Sequence, residues 1–167
     1  VDRCARKVVA QQPKILGLTS VFQQQMASLA LAQRVKQLAP ETVVLLGGAN
    51  CEGVMGRELM RQFPFLDAVV SGEGEIIFAE LTRRILEQES IDDLPGVFTP
   101  HNVHDRTRPS TTPAVRDMDS LPQPDFSEFF EAWNNCRAVG KLRPRALFES
   151  SRGCWWGEKH HCTFCGL

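Results

Sequence analysis

Apolar residues in this chain gather in short unbroken runs, separated by longer stretches in which they recur every three or four positions. The run over residues 14–20, Lys-Ile-Leu-Gly-Leu-Thr-Ser, follows Pro13 and predicts a buried strand, being too short and too continuous for a helix. Beyond it Phe22, Met26 and Leu29, then Leu31, Val35 and Leu38, fall at spacings of four and three, the stripe of a helix that Pro40 closes. Residues 42–46 predict a second buried strand ending at Gly47-Gly48. Residues 53–62 predict a second helix, and residues 68–70 a third strand leading into Ser71-Gly72-Glu73-Gly74. Ile77, Leu81 and Ile85, with Phe78 beside them, predict a third helix over 75–88.

Strands that alternate with helices and carry no polar interruptions imply a parallel sheet covered on both faces, so the fold class is α/β. Residues 96–99 add a strand at the sheet's edge. Residues 101–124, rich in Pro, Thr, Ser and Asp with little periodicity, read as a linker. After it Asp125 caps a helix to about residue 134, and residues 145–149 form a new strand entry. The expected organisation is an α/β domain over 1–100, a linker over 101–124, and the start of a second domain over 125–167.

Composition narrows the function. Hydrophobic residues make up 43% and charged residues 23%, ordinary for a globular chain and incompatible with disorder throughout. Nineteen Lys and Arg against twenty Asp and Glu leave a formal charge of -1, so no chain-wide basic field favours nucleic acid or an anionic membrane. No apolar run approaches the roughly 20 residues of a membrane span, and no signal region opens the chain. The expected location is the cytoplasm. Six cysteines in 167 residues are too sparse for a disulfide scaffold, and three of them crowd near the carboxyl terminus, which points to metal. The chain opens at Val1 and stops two residues after Cys165, so a piece of a longer protein, cut at both ends, is expected.

The sharpest motif is residues 150–165, Ser-Ser-Arg-Gly-Cys-Trp-Trp-Gly-Glu-Lys-His-His-Cys-Thr-Phe-Cys. Cys162 and Cys165, two residues apart, can face one metal centre, and Cys154 reaches it if the loop between Gly153 and Cys162 folds over. Arg152 and Lys159 favour the thiolate form that binds metal. Two occupants suit this donor set. Zinc would take His160 or His161 as a fourth ligand, whereas a 4Fe-4S cluster would keep one iron open for a small molecule. Trp155 and Trp156 either shield that centre from water or anchor the loop to a core.

This loop resembles that of the radical S-adenosylmethionine (SAM) superfamily, although the gap from Cys154 to Cys162 holds seven residues where most members have three. With Trp-Trp-Gly-Glu-Lys and His-Cys-Thr-Phe-Cys-Gly-Leu it looks specifically like the cobalamin-carrying radical enzymes that mature ribosomally made, bacteriocin-type peptides. The upstream residues resemble their flavodoxin-like cobalamin-binding domain. Ser20-Val21-Phe22 stands where that family has Ser-x-Leu, Gly47-Gly48 matches its Gly-Gly, and residues 72–75 match a Gly-Glu-Gly-Glu turn. The family's Asp-x-His-x-x-Gly loop is absent from this chain.

The resemblance implies Cys154, Cys162 and Cys165 as ligands of a 4Fe-4S cluster whose open iron binds SAM. It implies Ser20, Gly47, Gly48, Gly72 and Glu73 as cobalamin contacts, at the carboxyl ends of the strands where open α/β sheets bind ligands. It further implies a deoxyadenosyl radical, C-methylation of a ribosomally made peptide, an electron-donor protein as partner, and the opening strand and cluster loop of a truncated barrel. This segment alone is expected to be inactive. A non-enzymatic, zinc-stapled α/β binding module is the alternative.

Other residues read more simply. Gly72-x-Gly74 fails as a dinucleotide fingerprint because Ile77 replaces the third glycine. His101 and His104 read as solvated, and Glu58, Arg61, Arg83 and Arg84 as a solvated helix face. Cys4, Cys51 and Cys136 read as small apolar residues, Cys51 with the alternative of lining the ligand cleft.

Overall fold

A computed structural model of the chain describes residues 1–136, 140, 143–146, 149 and 152–160. The chain divides into two compact units, Val1–Arg116 and Asp117–Leu167.

The first unit holds a four-stranded sheet of β1 (Ile15–Thr19), β2 (Val43–Gly47), β3 (Ala68–Val70) and β4 (Val97–Phe98), in that order. The first three strands are parallel, with Ile15 opposite Val43 and Leu46 opposite Val69. Side chains alternate across the sheet, so both of its faces are apolar. Val44, Leu46 and Val69 pack with Leu29 and Ala32 of α2 (Gln25–Leu38) and with Leu59 and Met60 of α3 (Val54–Gln62). Leu45, Ala68 and Val70 meet Ile77 and Leu81 on the other face, where α4 (Phe78–Glu87) lies. The amino ends of the strands are stitched together. Lys36 Nζ donates to the carbonyls of Pro40 and Thr42 and pairs with Asp67 at 2.9 Å, and the same carboxylate accepts the Val44 N–H.

Four features of the first unit depart from the sequence expectation. The chain opens with a helix, α1 (Asp2–Val9), which buries Ala5, packs on α2 and ties Asp2 to Arg34 at 2.6 Å. The apolar stripe expected from Phe22 onward begins instead at Leu29. Phe22 is 90% and Met26 71% exposed, and residues 22–24 form a short 3-10 turn. Ser28 Oγ donates to the carbonyl of Thr19, the last residue of β1, so helix residues before Ser28 project past the strand with no sheet beneath them.

The edge strand β4 runs antiparallel to β3, with Val69 opposite Phe98, so the sheet is mixed. After α4 the chain climbs the sheet as an irregular stretch that buries Leu94, then reverses at Gly96, whose φ is +70°. A Cβ at Gly96 would collide with the Thr112 backbone, so the reversal requires glycine.

Residues 101–116, expected to be linker, fold with the first unit. The buried Asn102 carboxamide donates to the Val97 and Asp92 carbonyls and accepts the Thr99 N–H, while Arg57 donates to the carbonyls of Val103 and Asp105.

In the second unit α5 (Ser127–Asn134) begins where Asp125 accepts the Ser127 N–H at 2.8 Å, and hydrogen bonding from the Ser127 side chain, then from this N–H, holds the Asp125 carboxyl below its ordinary range. A short α6 (Trp155–Lys159) follows Cys154. Arg145 and Ala146 carry no strand, since no partner strand pairs with them among the described residues, and residues 147–148 lie outside those described. No helix among the described residues is long and apolar enough to cross a membrane.

Candidate functional site

Parallel strands deliver their following loops to one end of a sheet, and the residues singled out by the sequence converge there. Ser20 follows β1, Gly47 ends β2, Gly48 follows it, and Gly72 and Glu73 follow β3. The Ser20 N–H donates to the Gly47 carbonyl at 2.7 Å, and Asn50 closes the same junction from the other side. Ser20 is fully buried.

The glycines serve different ends. Gly48 sits at φ +100°, ψ 175°, and a Cβ there would lie 2.8 Å from the Ser20 carbonyl oxygen and 3.0 Å from its nitrogen. Gly47 has no such constraint; a Cβ would make only ordinary 3.8 Å contacts with Val70. Gly72, at φ +92°, backs onto Thr112. Glu73 anchors the returning segment, its carbonyl accepting from Thr112 Oγ1 and its carboxylate from the Val115 N–H at 2.6 Å. Gly48, Gly72 and Glu73 therefore each have a role in holding the loops together. Only Gly47 of the pair is free of backbone strain, and Gly74 opens onto empty space.

Two residues without any motif complete this end. Ser71 is fully buried, accepts the Gly53 N–H at 2.7 Å and donates to the Ser110 carbonyl at 2.6 Å, pinning three loops. Asn50 joins the β1 and β2 loops. Their only sequence signal is position, since each lies within four residues of a strand's carboxyl end.

Large apolar side chains ring the site in contact with solvent. Phe22, Met26, Val54, Met55 and Ile76 all sit on the loops and first helical turns at this end, and Val54 is 84% exposed. Such a rim suits a broad, largely apolar ligand. Two recesses of the unit lie at the amino end, one lined by Pro13, Val43, Ile85 and Gln88 and the other by Asp67, Ser90 and His101. Cys51 points into the core and does not line the site; burial pushes its thiol up to about 11. Cys4, Cys136, His101 and His104 are exposed.

In the second unit Cys154 is exposed, and its Sγ accepts the Gly157 N–H at 3.4 Å at the start of α6. Trp155 and Trp156 pack edge to face and are both exposed, and Trp156 lies 4.5 Å from the His160 ring. Arg152 pairs with Glu149 at 3.0 Å. Cys162 and Cys165 lie outside the described residues, and among those described no three His, Cys, Asp or Glu side chains converge as a metal site.

No protein-family model matches the chain. It is 28% identical over 154 residues to an uncharacterized methyltransferase of Pyrococcus horikoshii, covering 92% of this chain and 31% of that protein. It is 28% identical to the cobalamin-dependent radical SAM methyltransferase TokK of Streptomyces tokunonensis, covering 92% of this chain and 22% of that one. With the hopanoid C-3 methylase of Methylococcus capsulatus it shares 30% identity over 81% of this chain and 24% of the relative. The chain thus spans between about a fifth and a third of these relatives' length. Among solved structures, the radical SAM methyltransferase TsrM of Kitasatospora setae, with cobalamin and a [4Fe-4S] cluster bound, superposes with a TM-score of 0.52 at 18% identity, over 74% of this chain and 23% of TsrM. That likeness is one of fold alone, the fold of the mixed α/β sheet.

Proposed function

We propose that this chain is part of a cobalamin-dependent radical SAM methyltransferase, with the unit Val1–Arg116 holding cobalamin and the Cys154–Cys165 loop holding a 4Fe-4S cluster. The observation that carries the reading is the convergence of Ser20, Gly47 and Gly48 at one sheet end beneath an exposed apolar rim. That end fits a large ligand with an apolar periphery, and three thiols of this spacing fit an iron-sulfur cluster with one open iron. When bound, cobalamin supplies a transferable methyl group, and the cluster with SAM supplies radical chemistry at an unactivated carbon.

The chain's own residues bind and orient. Ser20 would hold a polar atom of the ligand, Phe22, Met26 and Val54 would cover its apolar edge, and Cys154, Cys162 and Cys165 would hold iron as thiolates. The substrate follows from the loop motif, which favours a ribosomally made peptide, with an electron-donor protein as partner and the cytoplasm as location.

Anaerobic reconstitution of the chain, followed by iron, sulfide and zinc analysis and titration with hydroxocobalamin, tests this. About four iron and four sulfide per chain, lost in Cys154→Ala, together with saturable cobalamin uptake, are expected. One zinc per chain with no corrinoid uptake would replace the reading with that of a zinc-stapled binding module.

A further inference from the structure

The stretch between Cys154 and Cys162 is where this loop departs from the spacing of the sequences it resembles, and five of its seven residues form α6 (Trp155–Lys159). The extra length is a helical turn. Cys154 precedes that turn in an extended conformation, φ −142°, ψ 111°, and its Sγ accepts the Gly157 N–H at 3.4 Å. An amide this early in a helix has no carbonyl of its own helix to bond, so the sulfur takes a donor that the helix does not use.

Glycine weakens a helix, and the backbone does not ask for it at 157. Gly157 is not among the glycines at positive φ, and a Cβ there would meet only Cys154 among the described residues, at an ordinary 3.6 Å from its Cβ and 3.8 Å from its Sγ. A side chain would cover one flank of the sulfur. With glycine that flank stays clear, and Cys154 is exposed while it holds the N–H. A cysteine sulfur bound to one iron keeps lone pairs for such a donor, and hydrogen bonds to the sulfurs are among the groups that set a cluster's potential. Reduction adds negative charge, part of which the sulfur carries, so an N–H directed at it favours the reduced form.

We propose that Gly157 is a positioning residue for the cluster: its N–H holds the Cys154 sulfur and raises the reduction potential of the iron bound there. The inference rests on the 4Fe-4S reading of the three cysteines.

The N–H can be removed by itself. Residues 1–153, prepared as a thioester, join a synthetic peptide of residues 154–167 at Cys154, and glycolic acid in place of Gly157 exchanges the N–H for an ester oxygen. The full chain is reconstituted anaerobically with iron and sulfide. Its one-electron midpoint is read by absorption against mediator dyes, with dithionite supplying the electron. The ester chain is expected to keep about four iron per chain and to be about tenfold harder to reduce, a midpoint about 59 mV more negative. Gly157→Ala keeps the N–H and strengthens the helix, so its midpoint is expected to match that of the wild type. An unchanged midpoint in the ester chain overturns the inference, as does an equal shift in Gly157→Ala. Loss of iron from the ester chain alone would make the N–H a folding device and overturn it too. All three leave the cluster reading intact. A wild-type chain that takes up one zinc, or no iron, sinks both.

Discussion

Gly47 and Gly48 are adjacent, yet adding one methyl group to each should have opposite outcomes. At Gly48 the backbone occupies φ +100°, ψ 175°, a region essentially closed to residues with a Cβ, and holding alanine there costs on the order of 1–3 kcal/mol. The new Cβ would also press on Ser20 at 2.8 Å and on Thr19 Oγ1 at 3.0 Å. Ser20 cannot retreat without loosening its 2.7 Å bond to Gly47 or the 3.0 Å bond from Asn50, each worth about 1 kcal/mol. Gly48→Ala should therefore destabilise the first unit by roughly 2–4 kcal/mol. Gly47 carries no positive φ, and its Cβ would touch Val70 at an ordinary 3.8 Å. Gly47→Ala should be neutral or gain about 0.5 kcal/mol by restricting the unfolded chain. Urea denaturation of both variants and wild type, followed by circular dichroism, measures the difference. A Gly48→Ala protein within about 0.5 kcal/mol of wild type would refute the reasoning, as would a Gly47→Ala protein that loses as much.

Two further outcomes follow from protonation and burial. Cys51, buried and with its thiol pushed up to about 11, should resist iodoacetamide at pH 8 in the native chain while the exposed Cys4 and Cys154 react; mass spectrometry showing equal labelling would contradict the core placement. Glu80 is held at about 2 by hydrogen bonds from Arg83 and then Arg84, below the ordinary 4.5, so its contribution is present above pH 4.5 and fades as pH falls toward 2. The urea midpoint of wild type should exceed that of Glu80→Gln slightly at pH 6, and the gap should narrow below pH 4.5 and close only near pH 2. A gap that widens on acidification would reverse the sign.

The alternation of strand and helix was legible because burial on both faces leaves β2 and β3 as unbroken apolar runs. What escaped depends on contacts distant in sequence. Periodicity aligned Phe22 and Met26 with Leu29, but it cannot say where the sheet beneath the helix ends; Ser28, bonded to Thr19, marks that limit. The antiparallel β4 hinges on Gly96 meeting Thr112, a contact no local pattern announces. Residues 101–116 read as linker because side chains such as Asn102 and Thr112 hold them through backbone carbonyls, which leaves no hydrophobic rhythm. The carboxyl-end cluster of Ser20, Gly47 and Gly48 was visible through resemblance. Asn50, which joins them, lies in no motif, and its role is apparent only when both loops are seen together.

The stitching of Lys36, Asp67 and Val44 stiffens the amino end of the sheet. Amide hydrogen exchange at Val44 should then rank among the slowest of the unit. A guest arriving at the opposite end could settle in place while this end stays still.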